Sequence, residues 1–298
     1  MDYQKKLKNM ISKLSIRNIS LLLVMGVIAV VACKKLDRPP LADYPKDANP
    51  PGGPLKFYTA FDGTTSDPLM NGVDSIRANF PASNPLTQID GINGKGVKGV
   101  DQKAILYPSA NDFAKATSFT ISFWEKNSVP GGGSPQFVFS LASKDYWHQS
   151  GLFMLVDHDG AGSTVDSAAV SFVIQDNWFV THNQEKLPGH LLNGAWHHIA
   201  ISYDETNSLI TYYVDGVKAS NVSAASSTWK DGTNPHGKVV FTNVYNLVVG
   251  GWNKHGNLGN GAPTDSWIQS WQGGLDQFRM YGKVLTASEV QALFNSKL

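Results

Sequence analysis

The sequence predicts an all-β protein, a two-sheet antiparallel β-sandwich (jelly roll) with one short C-terminal helix. From Leu55 onward, short runs of alternating apolar and polar residues are separated by Gly, Asn, Asp and Pro, which is the pattern of strands joined by turns. No helical segment connects these runs. The strands are therefore expected to pair antiparallel and to stack as two sheets.

The predicted strands follow one another with short gaps. In chain order they cover residues 55–61, 100–107, 118–126, 137–141, 152–156, 170–175, 196–203, 209–215, 239–242, 245–250 and 274–281. Phe119, Ile121 and Phe123 are expected on one face because side chains alternate along a strand. Asp215-Gly216 predicts a two-residue hairpin that leads into residues 217–219.

One helix is predicted, over residues 287–295. Thr286 and Glu289 have the spacing of a capping box, in which each side chain bonds the backbone N–H of the other residue. Leu285 and Val290 occupy the positions of a hydrophobic staple. The helix is expected to pack its apolar face on the sandwich.

The N-terminus, residues 1–32, has the organisation of a signal peptide. Basic residues between Lys5 and Arg17 precede an apolar run from Leu21 to Ala32, and Cys33 follows directly. A basic start, an apolar segment and a small residue before the cleavage point are typical of such peptides. The run is shorter than the roughly 20 residues that a membrane-spanning helix needs.

The segment Val30-Val31-Ala32-Cys33 resembles the lipobox of bacterial lipoproteins. The resemblance implies cleavage before Cys33 and acylation of that residue, palmitate included, so that it anchors the chain to a membrane of the cell envelope. Lys34 stands where some lipoproteins of the inner membrane have Asp, which favours the outer membrane. Prolines and glycines over residues 33–54 predict an extended, mobile tether.

Composition limits the partners and the source of stability. The chain has 25 Lys and Arg against 24 Asp and Glu, and no basic patch stands out, so no nucleic acid partner is expected. Cys33 is the only cysteine, so no disulfide can form within the chain. The fold must depend on its apolar core.

Three segments resemble LamG-like (laminin G-like) domains of the concanavalin A-like lectin/glucanase superfamily. They are FTISFW at 119–124, WHHIAISYD at 196–204 with YYVDG at 212–216, and GLDQFRMY at 274–281 with LTASEV at 285–290. The resemblance implies one sandwich domain over residues 55–298. It also implies that the first and last strands lie side by side and antiparallel.

That implied pairing would bring Asp62, at the end of the first strand, close to Asp276 in the last. Strand alternation places Asp276 on the face of Phe278 and Met280, where an unpaired carboxylate is costly to bury. Two carboxylates and turn carbonyls would suit a structural Ca²⁺, with Asp67 as a third oxygen ligand. The alternative is that Asp62 and Asp67 cap turns while Asp276 pairs with Arg279 or a backbone donor.

Exposed aromatic side chains are the expected binding surface. A ring covers the apolar face of a sugar while nearby amides and carboxylates meet its hydroxyls. The candidate carbohydrate-binding residues are Trp147, Trp178, Trp252, Asn253, His255 and Trp267. The alternative is that half or more of the tryptophans close the ends of the sandwich, and Trp124 and Trp196 are expected in the core.

His197 and His198 are not expected to share a metal ion, because adjacent residues on a strand point to opposite faces. Both are interpreted as strand residues with satisfied ring nitrogens.

The sequence contains no catalytic motif that we can identify. It lacks the Glu-x-Asp-x-x-Glu of laminarinase-like relatives, a Gly-x-Ser-x-Gly elbow and an alginate-lyase-type signature. We therefore expect a non-catalytic, lipid-anchored envelope protein, monomeric or part of an envelope complex, whose LamG-like module binds a glycan or glycoprotein. The alternatives are a protein–protein scaffold in an outer-membrane assembly and a cryptic glycoside hydrolase or polysaccharide lyase.

Overall fold

The computed structural model describes residues 53–62, 69–73, 81, 83–143, 151–242, 244–258 and 264–297. The predicted signal peptide, nearly all of the tether with Cys33, and the candidate residues Asp67 and Trp147 lie outside the described residues. No helix within these ranges is long and apolar enough to cross a membrane.

The described residues are mostly β, as predicted. In chain order the strands are β1 (Leu55–Thr59), β2 (Thr87–Asp90), β3 (Lys95–Lys98), β4 (Ile105–Tyr107), β5 (Phe119–Lys126), β6 (Gln136–Ser143), β7 (Leu152–Val156), β8 (Val170–Ile174), β9 (Asn177–Thr181), β10 (His197–Asp204), β11 (Leu209–Val214), β12 (Val217–Lys218), β13 (Lys230–Asp231), β14 (Asn234–Pro235), β15 (Val244–Val249), β16 (Gln269–Ser270) and β17 (Gly274–Tyr281). The α-helices in these ranges are α1 (Ala224–Ser227) and α2 (Ala287–Ser296).

The strands form two large sheets. The first has the order β12-β11-β10-β5-β17-β3-β2, and β1 also pairs with β17. The second has the order β4-β15-β6-β7-β8-β9, with the short β16 parallel to β6. Apart from that short pair, neighbouring strands in these sheets are antiparallel, including β1 and β17, as the resemblance implied.

The main hydrophobic core lies between the inner faces of the two sheets. Phe119, Ile121 and Phe123 of β5 are buried in it, as their alternation predicted. Phe123 stacks on Phe278 of β17 with ring centroids 5.8 Å apart. Ser122 lies on the opposite face, where side chains of the first sheet meet α2 and the loops. Burial of this many aromatic rings stabilises a fold that has no disulfide.

A β-bulge in β17 determines where Asp276 points. Gln277 has a φ of 48°, and the register against β5 shifts at this point. Because the bulge adds one residue, Leu275 and Phe278 both face the main core, together with Met280. Asp276 therefore lies on the outer face of the sheet. The prediction that it shares a face with Phe278 and Met280 is wrong, because strict alternation does not continue through a bulge.

The predicted C-terminal helix is confirmed as α2. The Thr286 hydroxyl accepts the N–H of Glu289, and the Glu289 carboxylate accepts the N–H of Thr286, which completes the capping box. Val290 is fully buried in a small cluster with Leu285. Phe294 stacks on the tryptophan of β5, so α2 covers part of the outer face of the first sheet.

Strands with weak alternation account for the differences from the prediction. The predicted strand 100–107 begins only at β4, and residues 239–242 are irregular. No alternating pattern predicted β2 and β3, because their residues are largely exposed and include a glycine. These two strands nevertheless form the edge of the first sheet, next to the site of Asp276.

Candidate functional site

An aromatic cluster covers part of the outer face of the second sheet. Its buried members are Phe137, Phe153, Leu155, Val173, Trp252 and Ile268, which we call the outer aromatic cluster. Phe137 and Trp252 stack with ring centroids 4.6 Å apart and ring planes 4° apart. Phe153 lies 4.9 Å from Trp252. The alternate residues of β7 and β8 face the main core, so this cluster lies on the opposite side of the sheet.

Two tryptophans remain partly exposed above this cluster, and we call them the tryptophan surface. Trp178 is 45% exposed and Trp267 is 40% exposed. Trp178 meets Phe153 edge-on at 5.5 Å, and Trp267 lies 6.1 Å from Phe137. Phe137 and Phe153 are themselves 5.7 Å apart. The two exposed indole rings therefore rest on one shared, buried aromatic base.

Polar groups fix the positions of these rings. The indole Nε1 of Trp178 donates to Asp176 Oδ1 at 3.3 Å. Lys254 Nζ donates to the carbonyl of Asp265 at 2.9 Å and to that of Ile268 at 3.2 Å, on either side of Trp267. Hydrogen-bonding groups therefore surround two apolar ring faces, an arrangement that suits a ligand with both polar and apolar surface.

Three other predicted binding residues are committed to the fold. Trp252 and Asn253 are buried, and Asn253 bonds the Ser140 hydroxyl at 3.1 Å and the Ser143 carbonyl at 3.2 Å. His255 Nδ1 accepts the N–H of Trp252 at 3.1 Å, and burial lowers the pKa of His255 to about 4. The expectation that these side chains are exposed is wrong, because the turn that carries them docks on the sheet. Trp178 and Trp267 are the exposed members of the predicted set among the described residues.

Asp62 and Asp276 lie on two sides of one turn, at the junction where β17 changes its partner. The strand pairs with β3 up to Leu275 and with β1 from Phe278 onward. The turn of residues 91–94 fills this junction. Ile92 N donates to Asp276 Oδ2 at 2.7 Å, and Lys95 N, directly after the turn, donates to Asp62 Oδ1. The side-by-side arrangement of β1 and β17 thus brings both acids to the same turn.

Two glycines allow the turn to press against these carboxylates. A Cβ at Gly91 would lie 2.3 Å from Asp276 Oδ2. A Cβ at Gly94 would lie 2.1 Å from Asp62 Oδ1, and Gly94 has a φ of +68° that L side chains rarely adopt. The backbone of the turn is therefore close enough to the two carboxylates to bind the same ion.

The electrostatics at this turn disfavour two negative charges. Burial raises the pKa of Asp276 to about 8, and the charge of Asp62 adds to this shift. Burial also raises the pKa of Asp62. Asp276 is fully buried, and its Oδ1 has no hydrogen-bond partner among the described residues. A buried acceptor of this kind is normally satisfied by a donor or a cation.

The oxygen atoms at this turn supply some of the ligands that a hard cation needs. Carboxylate and carbonyl oxygens are the ligands that Ca²⁺ prefers, and Asp276 Oδ1 is a carboxylate oxygen without a partner in the described ranges. In those ranges, however, no group of three or more His, Cys, Asp or Glu side chains could hold a metal ion. An ion here would need turn carbonyls, water or Asp67 in addition to the two acids.

His197 and His198 point to opposite faces, as predicted. His197 Nδ1 lies 2.9 Å from Asp215 Oδ2, and His198 Nε2 lies 2.8 Å from Ser122 Oγ. Burial lowers the pKa of His198 to about 3, so its ring is neutral at physiological pH. The pair cannot hold one ion between them.

The sequence interpretation missed Glu125 and the position of Trp196. Glu125 is buried, and neither of its carboxylate oxygens has a hydrogen-bond partner within the described residues. Burial raises the pKa of Glu125 well above its usual value, and the charge of Asp215 adds to this. Trp196 is only half-buried, and its ring edge lies over Gly274. The signal that could have identified Glu125 is an acidic residue within an otherwise apolar strand.

A family model matches part of this sandwich. Residues 98–238 match the family model Laminin_G_3, described as part of the concanavalin A-like lectin/glucanases superfamily. The match covers a little less than half of the chain, and the two-sheet architecture is consistent with a concanavalin A-like fold. No curated protein sequence matches the chain.

Solved structures show the same fold at low sequence identity. Domain 4 of the extracellular arabinanase AbnA from Geobacillus stearothermophilus, solved with arabinotriose, is 17% identical with a TM-score of 0.49, over 80% of this chain and 97% of that domain. A mutant of HCR/D is 11% identical with a TM-score of 0.52, over 82% of this chain and 51% of the other. A Trypanosoma rangeli sialidase is 17% identical with a TM-score of 0.47, and this chain spans 33% of it. The likeness is one of fold alone.

Proposed function

We propose that this protein is a non-catalytic envelope protein whose laminin G-like domain binds carbohydrate, free or on a glycoprotein, through the tryptophan surface. The observation that carries the proposal is the placement of Trp178 and Trp267. Both rings are partly exposed, and both rest on the outer aromatic cluster. A rigid pair of ring faces loses little conformational freedom when a flat sugar face stacks on it.

The buried aromatic cluster beneath it distinguishes the tryptophan surface from scattered exposed apolar side chains. Singly exposed apolar residues are normal on protein surfaces and need no function. Here Phe137 and Phe153 hold both indoles from below, and the Asp176 carboxylate lies beside one of them. Ring faces and polar groups are together the two elements that recognise a saccharide.

The proposal includes lipid attachment at Cys33, which rests on the lipobox resemblance and on the tether composition. A domain held by a Pro- and Gly-rich tether of about 20 residues can reach ligands within some tens of Å of a membrane. Binding of glycans near the envelope surface is the role that this arrangement supports.

A structural Ca²⁺ at Asp62 and Asp276, with Asp67 or turn carbonyls completing its shell, is part of the same proposal. The buried Oδ1 of Asp276 supports it. The ion would neutralise the carboxylates of Asp62 and Asp276, which lie on two sides of the same turn, and would fix the junction between β1, β3 and β17. In this role it stabilises the domain and does not take part in a reaction.

A glycan array probed with the purified full chain tests the carbohydrate proposal. We expect binding to a limited set of neutral glycans, and we expect the Trp178→Ala and Trp267→Ala variants to lose it. Val217→Ala is a matched control, because Val217 is 62% exposed and lies on β12 of the other sheet. Silence of the full chain on all neutral glycans of the array, or neutral-glycan binding that survives both tryptophan substitutions, would contradict the proposal.

A further inference from the structure

A polar cleft opens where β3, β5 and β17 pair at one end of the first sheet. It has a volume of about 480 Å³. Its walls include Lys98, Lys126, Asn127, Gln272 and Gly274, and we call it the lysine cleft. This volume is in the range of small-ligand sites, roughly 300–1,000 Å³.

The strand register places both lysines on the same face of the sheet. Gly274 is paired with Lys98 of β3 on one side and with Lys126 of β5 on the other. Directly paired residues point to the same side, and adjacent strands are about 4.8 Å apart. The two lysine Cα atoms are therefore roughly 10 Å apart, and the residue between them in the sheet is a glycine.

An aromatic ring lies beside this gap. A Cβ at Gly274 would be 2.8 Å from Trp196 Cη2, and a Cβ at Gly96 would be 3.4 Å from the same atom. The absence of side chains at these two glycines is therefore what allows the edge of the indole to approach the sheet. Trp196 remains half-buried there and not in the core, contrary to its expected position.

Buried hydrogen bonds fix the walls of the lysine cleft. Gln136 Oε1 accepts Asn127 Nδ2 at 3.0 Å and Gln272 N at 3.2 Å, so one buried amide joins both walls. Gly194 N donates to the carbonyl of Asn127 at 2.8 Å. A cleft with fixed walls loses little conformational entropy when it takes a ligand.

The charges in the lysine cleft are not balanced. Neither Lys98 nor Lys126 makes an ion pair with another described residue. Asp90 in the wall is paired with Lys95 at 2.6 Å. Two lysine charges therefore remain available to a ligand.

We propose that the lysine cleft binds an anionic saccharide, with its carboxylate or sulfate group bound by Lys98 and Lys126 and its hydroxyls against the polar walls of the cleft. Each lysine donates charge-assisted hydrogen bonds to the anionic group. Asn127 and Gln272 lie where the hydroxyls of the same sugar would meet the walls. Neither Trp178 nor Trp267 lines this cleft.

Calorimetric titration of the full chain with a galacturonic acid oligosaccharide tests this site, with a neutral galactose oligosaccharide of the same length as the control ligand. We expect the acidic oligosaccharide to bind and the neutral one to bind at least about tenfold more weakly, because a hydrogen bond to a charged group is worth more than a neutral one. A sulfated oligosaccharide establishes which anionic group is preferred. Binding should weaken as salt is raised, since exposed charges are screened.

The double variant Lys98→Gln/Lys126→Gln should weaken acidic binding by about tenfold or more. Lys218→Gln, an exposed lysine of β12, is the matched control and should leave it unchanged. Binding should also persist in the Trp178→Ala/Trp267→Ala variant and in EDTA, which separates this site from the tryptophan surface and from Asp276. Absence of acidic binding, full binding by the lysine double variant, or binding only to vesicles of anionic phospholipid would overturn the proposal.

Discussion

Asp62 and Asp276 each accept a backbone N–H from the same short stretch of chain, residues 92–95, although they belong to opposite ends of the domain. They meet because β17 exchanges β3 for β1 as its neighbour at this point. One of the two carboxylates is buried and has an oxygen without a partner in the described ranges. The stability of the fold should therefore depend on the charge at this turn.

Calcium should stabilise the domain through this pair. We expect added Ca²⁺ to raise the melting temperature of EDTA-treated protein, because an ion that binds only the folded state stabilises it by mass action. Asp276→Asn should abolish the shift, whereas Asp101→Asn, an exposed acid outside the turn, should keep it. A melting curve that is the same with Ca²⁺ and with EDTA would remove the structural ion from the account.

Stability without metal should fall as the pH rises. The folded-state pKa of Asp276, about 8, lies above the unfolded value of about 3.9. Between these values the folded state binds a proton that the unfolded state lacks, so the free energy of unfolding decreases by at most about 1.4 kcal/mol per pH unit. The dependence should level off above pH 8. Denaturant titrations at several pH values in EDTA measure it.

The controls for this slope are two amide variants. Asp276→Asn should reduce the slope by the contribution of Asp276. Glu125→Gln should reduce it by the contribution of Glu125, a second acid whose pKa is also raised by burial. A slope that neither substitution reduces would show that the protons are bound elsewhere.

The glycines of the 91–94 turn should be intolerant of a methyl group. We expect Gly94→Ala to destabilise the domain by about 1–3 kcal/mol, because it combines a positive φ with a clash against Asp62. Gly131→Ala is the matched control, since a Cβ there has no atom within 4 Å. Chemical denaturation compares the two, and equal stabilities would contradict the packing of this turn.

Trp252 should be essential for stability and not for direct ligand contact. Its ring stacks between two phenylalanines in the outer aromatic cluster, so Trp252→Ala should cost about 3–5 kcal/mol. Trp178→Ala, at a 45% exposed ring, should cost much less. Thermal melting of both variants checks this order, and a reversed order would mean that the roles of the two rings are exchanged.

The parts of the fold that were predictable depend on local pattern. Alternation located β5, β7 and β17, and the capping box located α2, because these signals lie within a few residues of sequence. The outward position of Asp276 was not predictable, since a bulge at Gln277 inverts the alternation. Its meeting with Asp62 came from the implied strand order and not from the residues themselves.

The binding residues were harder to predict, because exposure depends on tertiary packing. Trp178, Trp252 and Trp267 all stand among polar neighbours in the sequence. The fold buries Trp252 because its turn docks on β6, whereas Trp178 lies on the edge strand β9 and stays exposed. Lys98 and Lys126 gave no signal, since their relation through Gly274 exists only in the sheet register.

Carbohydrate binding by the tryptophan surface is tested by calorimetric titration of the purified full chain with the neutral glycan that binds most strongly on the array. We expect saturable binding that the Trp178→Ala/Trp267→Ala double variant weakens by about tenfold or more, with its melting temperature near that of the parent protein and with Val217→Ala binding normally. Unchanged affinity in the folded double variant would contradict the claim that the tryptophan surface binds carbohydrate.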